Sequence, residues 1–387
     1  MSVEWFDLGQ RLRAASTGRV VPRLVHAALT TTPHPVACRA HRDGDRITVV
    51  AATPGTPAAT ATGPDALDLL GDLGVTLAAP SPATLVTDDP GTLPLLCALA
   101  RSVPPDSPRD TVAGHIAWWA DRADFPGGRA VVDTRTGCRT RWVTGTTPTG
   151  EDHPATWRHW LDVPDETVTG LLAVYQRLTD LPPLPWLDTL TEDDLWAYAT
   201  AQSEHADALD WRRPDTTGRA ALGLRSRCDA ADLYAAALLT DPLYRRRATH
   251  TGHVTTGVAR PLGDRLRTVT VTCPRLDCRL RPGTDVTGWV GTPTTTTPDP
   301  FSGTVTAASV EAGHLLLTLT GTTGTTPQTG ATVTLMPAPP SPHQQRVGRK
   351  NYRTLYSARR SWLTTGRPPT TTRRPVPLDV LIAGAEP

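Results

Sequence analysis

The chain has 387 residues, with 39 Lys and Arg against 38 Asp and Glu for a net charge of +1, and is 39% apolar with 11 Trp. That length holds more than one core, and the composition is that of a folded protein whose 38 Pro and 31 Gly imply long irregular connections. No apolar run approaches the ~18 residues of a membrane span, and Glu4 and Asp7 stand where a secretory leader would carry cations. The expectation is therefore a cytoplasmic protein without membrane contact.

Six scattered Cys suit reduced thiols better than a disulfide framework. Lys350 is the only lysine, and with the wealth of Ala, Thr, Pro and Gly this reads as translation of a very GC-rich genome, of actinobacterial type. Such bias explains why Arg replaces Lys. It does not explain where the arginines sit.

In chain order, residues 3–15 carry Trp5, Leu8 and Leu12 at helical spacing and read as an amphipathic helix. The β-rich runs 35–39 and 46–51 flank Arg42-Asp43-Gly44-Asp45, a hairpin signal because the Asp-Gly pair supplies the positive φ a tight turn needs. Residues 65–73 and 93–102 read as helices. Residues 1–105 are thus expected to form a small α+β domain.

Residues 106–250 read as a mainly helical domain with one β-hairpin. A helix over 110–124 carries His115, Trp118 and Trp119, and the hairpin is expected from 129–133 and 139–143 around Thr136-Gly137. Together with Trp142, Trp157 and Trp160 these rings offer a stacking platform for bases or sugars, but their irregular spacing and the mixed charge around them favour a core role. Val168, Leu171, Leu172 and Tyr175 follow one helical face with Asp165 as its cap, Thr191 with Asp194 predicts the next helix start, and a third helix spans 229–239. Asp241 caps a short helix with Pro242 at its first position. These elements make a central helical bundle. Arg245, Arg246 and Arg247 read either as part of an anion-binding face or as cations opposing a helix C-terminus. Glu204, His205 and Asp207 are acid/base groups side by side, which on a helix point in different directions.

From 253 to 336 six short β-rich runs alternate with Pro, Gly, Asp and Thr turns, enough for one antiparallel barrel of OB or SH3-like size over 251–337. Trp289 and Phe301 are its only Trp, Tyr or Phe, which argues against base stacking on its face. His250, His253, Cys273 and Cys278 are the weak candidates for a metal. Their spacing disfavours one, because Pro274-Arg275-Leu276-Asp277 reads as a turn that sets the two cysteines on opposite arms. No metal and no cofactor are expected.

Residues 338–387 join a Pro-rich spacer to an Arg-rich arm. Between His343 and Arg374 lie Arg346, Arg349, Lys350, Arg353, Arg359, Arg360, Arg367, Arg373 and Arg374, with no acid between Glu311 and Asp379. Subtracting these nine cations from +1 leaves −8 for the remainder, so a mildly acidic body carries a strongly basic arm. Tyr352, Tyr356 and Trp362 are interleaved with the arginines, the composition expected where guanidinium groups meet phosphates and rings stack on bases.

No phosphate-binding glycine loop, GxSxG elbow, HExxH pair or deaminase signature is present in the sequence, so no catalytic residue is assigned. The fold class expected is multidomain α+β: an N-terminal α+β unit, a helical bundle and a small β-barrel with a basic tail. The function expected is that of a nucleic-acid-binding accessory protein, of a mobile or replicating element. DNA or RNA would be held on phosphates by Arg346, Arg349, Lys350, Arg353, Arg359 and Arg360, stacked by Tyr352 and Trp362, and supported by Arg245, Arg246 and Arg247. The alternative is a scaffold whose barrel and tail bind a protein partner or the chain's own acidic body.

Overall fold

The computed structural model describes residues 2–208, 211–212, 217–263, 265, 267–296 and 298–340. Two compact units are present, Met1–Arg213 with Arg227–Pro340, and Pro214–Ser226 with Ser341–Pro387. The predicted arm residues Arg346, Arg349, Lys350, Tyr352, Arg353, Arg359, Arg360 and Trp362 lie outside the described residues. Of the second unit, 217–226 are described, as the start of a long helix.

The chain opens with helix α1 (Val3–Thr17), ended by Gly18 in the left-handed conformation that favours glycine, and with strand β1 (Val21–Pro22). The helix is present as expected, but its apolar stripe faces outward: Trp5 is 67% and Leu12 62% exposed, with Leu8 beside them. Polar residues dock the helix instead. Arg11 donates both terminal nitrogens to the buried Glu151 carboxylate, at 2.6 and 2.9 Å, and Asp7 accepts from Arg247. Long-range ion pairs outweigh the local amphipathic pattern here.

A five-stranded sheet in the order β4-β3-β2-β5-β6 follows, from β2 (Pro35–Asp43), β3 (Arg46–Ala52), β4 (Ala59–Thr62), β5 (Thr84–Thr87) and β6 (Val131–Asp133). The β2–β3 hairpin turns at Gly44, at a φ of 59°, where the Asp-Gly signal places it. Strands β2, β5 and β6 are parallel. Alternate residues of β2 face opposite layers. Val36, Cys38 and Ala40 pack with α2 (Asp65–Asp72), α3 (Thr92–Arg101) and α4 (Asp110–Arg122), whereas Ala37 packs with Val86, Val132 and helix α7 (Val168–Thr179).

The second expected hairpin is replaced by a helix. Residues 134–141 form α5 (Thr134–Arg141), because the Asp133 side chain accepts from the Arg135 backbone N–H and the Thr136 hydroxyl, capping a helix where a turn was expected. Val132 pairs in parallel with Val86 of β5, and Trp142–Val143 (β7) pairs with β1. The remaining helices are α6 (Pro154–Trp160), α8 (Leu187–Ala206), α9 (Thr217–Leu238) and α10 (Pro242–Ala248). Helix α8 begins four residues before the predicted Thr191 cap. Thr191 instead meets the Thr30 hydroxyl, and the buried Asp194 binds Arg122 at 2.7 Å and the Arg129 backbone N–H. Helix α7 is capped by Thr167, whose own N–H and hydroxyl are held by Asp165. Trp118, Trp119, Trp142 and Trp157 are buried, as the core reading expects, and Trp160 is half-buried against Ala14, Val21 and Val143.

The six C-terminal strands close into an antiparallel barrel in the order β10-β11-β12-β9-β8-β13. They are β8 (Thr255–Pro261), β9 (Val269–Cys273), β10 (Asp285–Val290), β11 (Pro300–Glu311), β12 (His314–Gly324) and β13 (Thr332–Pro337). Alternating residues such as Val269, Val271, Leu315, Leu317, Leu319, Val333 and Leu335 fill the interior, with Phe301 among them. Gly288 admits that ring, since a Cβ there would stand 2.5 Å from Phe301. Among the described residues no helix is long and apolar enough to cross a membrane.

Candidate nucleic-acid interface

Arg245, Arg246, Arg247, His250, His253, Cys273 and Cys278 fall in one region, where α10 runs into the barrel. Asp241 fixes its entry. This fully buried carboxylate accepts from the Leu243 and Tyr244 N–H groups on one oxygen, and from Val25 N, His26 N and His26 Nδ1 on the other. The helix is thereby capped and tied to the segment after β1.

The three arginines then diverge, as successive residues of a helix must. Arg245 turns inward. Its guanidinium donates to the carbonyl of Pro293 at 2.7 Å, to that of Thr240 at 3.2 Å and to that of Thr295, and it lies over the Trp289 ring with 4.9 Å to the centroid. Arg247 clasps Asp7 through two parallel bonds of 2.9 and 2.8 Å. Burial raises the Asp7 carboxyl, but the bonds from Arg247 and the nearby Arg23 and Arg11 outweigh it and hold the group below its ordinary value. Arg246 alone of the three is exposed, 5.8 Å from the Phe6 ring centroid.

Phe6 stacks on His250, with centroids 4.6 Å apart. Beyond it the turn 250–253 meets the connection between β9 and β10. Gly252 allows this approach: its φ is 76°, a Cβ would stand 2.0 Å from the Asp277 carbonyl oxygen, and Arg279 N donates to the Gly252 carbonyl at 2.8 Å. The two histidines consequently face arginines. Arg275 approaches His250 Nδ1 at 3.5 Å and Arg279 approaches His253 Nε2 at 3.4 Å. With Nε2 accepting from Arg279, His253 Nδ1 donates to the Thr251 hydroxyl, 2.9 Å away. Burial and the Arg279 charge both push the His253 pKa down. Arg246, Arg275 and Arg279 give the surface its charge, opposed by Asp277, which binds Arg275.

Cys273 and Cys278 point away from the histidines into the barrel core, where burial raises both thiols, Cys273 to about 11. Residues 274–284 form an irregular connection in place of the expected tight turn. Among the described residues no three His, Cys, Asp or Glu side chains are grouped to hold a metal ion. The other acid/base candidates sit in separate settings. His115 is enclosed by Trp118, Trp119 and Tyr198, and His205 lies 3.6 Å from Asp110. Arg275 and Arg279 escaped the sequence reading because neither belongs to a run of cations. The one available signal was Gly252 between two histidines.

No family model, curated protein or solved structure matches the chain.

Proposed function

We propose that the protein is a cytoplasmic nucleic-acid-binding protein that holds phosphates through Arg346, Arg349, Lys350, Arg353, Arg359 and Arg360, with Tyr352 and Trp362 as stacking rings. The observation that carries this reading is the gathering of nine cations between His343 and Arg374 without one acid. The way the body uses its own charges supports it. Arg11 is matched with Glu151, Arg39 with Asp88, Arg122 with Asp194, Arg141 with Asp180, Arg212 with Asp110, and Arg23 and Arg247 share Asp7. These carboxylates are already committed, which lessens the case for the body as the arm's counter-charge. Arg246 and Arg279 offer a second anion surface beside the Phe6–His250 stack, where Arg275 is already paired with Asp277.

The test is fluorescence anisotropy with labelled single- and double-stranded DNA and RNA. It compares the natural chain with one in which Arg346, Arg349, Arg353, Arg359 and Arg360 are changed to Gln. Binding by the natural chain that the variant loses, with unchanged circular dichroism, is the expected outcome. A variant that keeps its affinity while its thermal stability or oligomeric state changes would favour a scaffold with a structural tail.

A further inference from the structure

The strand order of the sheet contains a place where the chain reverses direction. From β2 it proceeds through β3 and β4 to one edge, then returns to lay β5 and β6 on the other side of β2. In sheets with parallel strands, the crevice outside the carboxyl ends of the strands at such a reversal is where ligands are received. Here it lies between β2 and β5, and a cleft of about 450 Å³ opens there.

Its walls come from four separate parts of the chain. Arg39 projects from β2, Asp88 and Asp89 follow β5, Arg135 lies in the first turn of α5, and Arg158 with His153 belongs to α6 and its entry. Asp88 is buried and gripped on both oxygens by Arg39, at 2.8 and 2.7 Å, and Arg39 also donates to the Glu166 carbonyl. This clamp is complete without further help. Arg158, whose side chain is only 13% exposed, stands 3.7 Å from Asp88, and its guanidinium makes no hydrogen bond among the described residues. Arg135 uses one terminal nitrogen on the Asp152 carbonyl at 3.3 Å and its Nε on Asp133 at 3.5 Å, leaving the other terminal nitrogen without a bond among the described residues.

A guanidinium has five N–H donors in a fixed fork that matches an oxyanion. The Arg158 nitrogens keep some access to solvent, so an oxyanion in the cleft would exchange their water for charge-assisted hydrogen bonds. Of the acids on the wall, Asp88 is neutralised by Arg39 and Asp89 caps the Gly91 N–H at 2.9 Å. Pro90, Pro154 and Ala155 supply an apolar wall beside the charged one. The geometry points to a binding site for a small molecule carrying one oxyanion group, phosphate or carboxylate, held by Arg158 and Arg135 with His153 at the mouth. Asp89 would limit affinity by repulsion.

The site is independent of the arm, and its test keeps the arm in place. Thermal unfolding of the full chain is followed at constant ionic strength while chloride is exchanged for inorganic phosphate or, separately, acetate. The expected result is a saturating rise in Tm with one of the two anions. That rise is lost in Arg158→Gln, weakened several-fold in Arg135→Gln and reached at several-fold lower concentration in Asp89→Asn. Should Arg158→Gln fail to fold, the opposite movements of the Arg135 and Asp89 variants decide. No saturating rise in the natural chain, or equal rises in all variants, would overturn the inference, and neither result bears on nucleic-acid binding by the arm.

Discussion

His115 makes a buried test of how the α4 layer responds to acid. Its ring has no solvent exposure, Nε2 lies 3.2 Å from the Ala83 carbonyl that also accepts from Trp119, and Nδ1 has no hydrogen-bond partner among the described residues. Burial pushes its pKa down from 6.5 to about 4, against the weaker pull of the backbone acceptors. At ~1.4 kcal/mol per pKa unit, charging the ring in place costs on the order of 3 kcal/mol. Because the unfolded chain binds the proton first, this stability is fully present above pH 6.5 and is lost as pH falls towards 4. The assay is urea unfolding followed by tryptophan fluorescence for the natural chain and His115→Phe between pH 7.5 and 4. The difference in unfolding free energy between the two should shrink by roughly 3 kcal/mol over that range in favour of the variant. Parallel stability curves, with a constant difference, would refute the reasoning.

The neighbouring arginines of α10 should separate by role. Arg247→Ala is expected to cost roughly 1–3 kcal/mol, because Asp7 loses a paired bond in a part-buried site, and Arg246→Ala should leave the urea midpoint unchanged while weakening nucleic-acid binding. Asp241→Ala removes a helix cap and the acceptor of the Val25 and His26 N–H groups, a loss of roughly 3 kcal/mol or more by urea titration. Trp5→Ser and Leu12→Ser should each change stability by less than about 0.5 kcal/mol, since both side chains face outward; a loss of 2 kcal/mol or more would show that the stripe is packed.

Features set by neighbouring residues were legible in the sequence. The Asp43-Gly44 hairpin, the Asp241-Pro242 helix start and the six barrel strands each depend on turn or cap chemistry within a few positions. Features set by distant partners were not. The period of α1 was visible, but its direction depends on Glu151 and Arg247, far along the chain. Residues 134–141 carry a turn-like Thr-Gly pair, yet Asp133 caps them into a helix once β6 is aligned beside β5. The spacing of Arg245, Arg246 and Arg247 says that they diverge, not which one reaches solvent. The cleft of Arg39, Asp88, Arg135 and Arg158 has no sequence signature at all, because a strand reversal brings four distant segments together.

The phosphate contacts proposed for the arm are measured directly by counterion release. Six contacts predict that log K for a duplex falls with log salt at a slope of about −5, and that the variant with Gln at positions 346, 349, 353, 359 and 360 flattens it to about −1. Affinity of the natural chain that stays constant between roughly 50 and 200 mM salt, or a slope shared by both chains, would contradict the account.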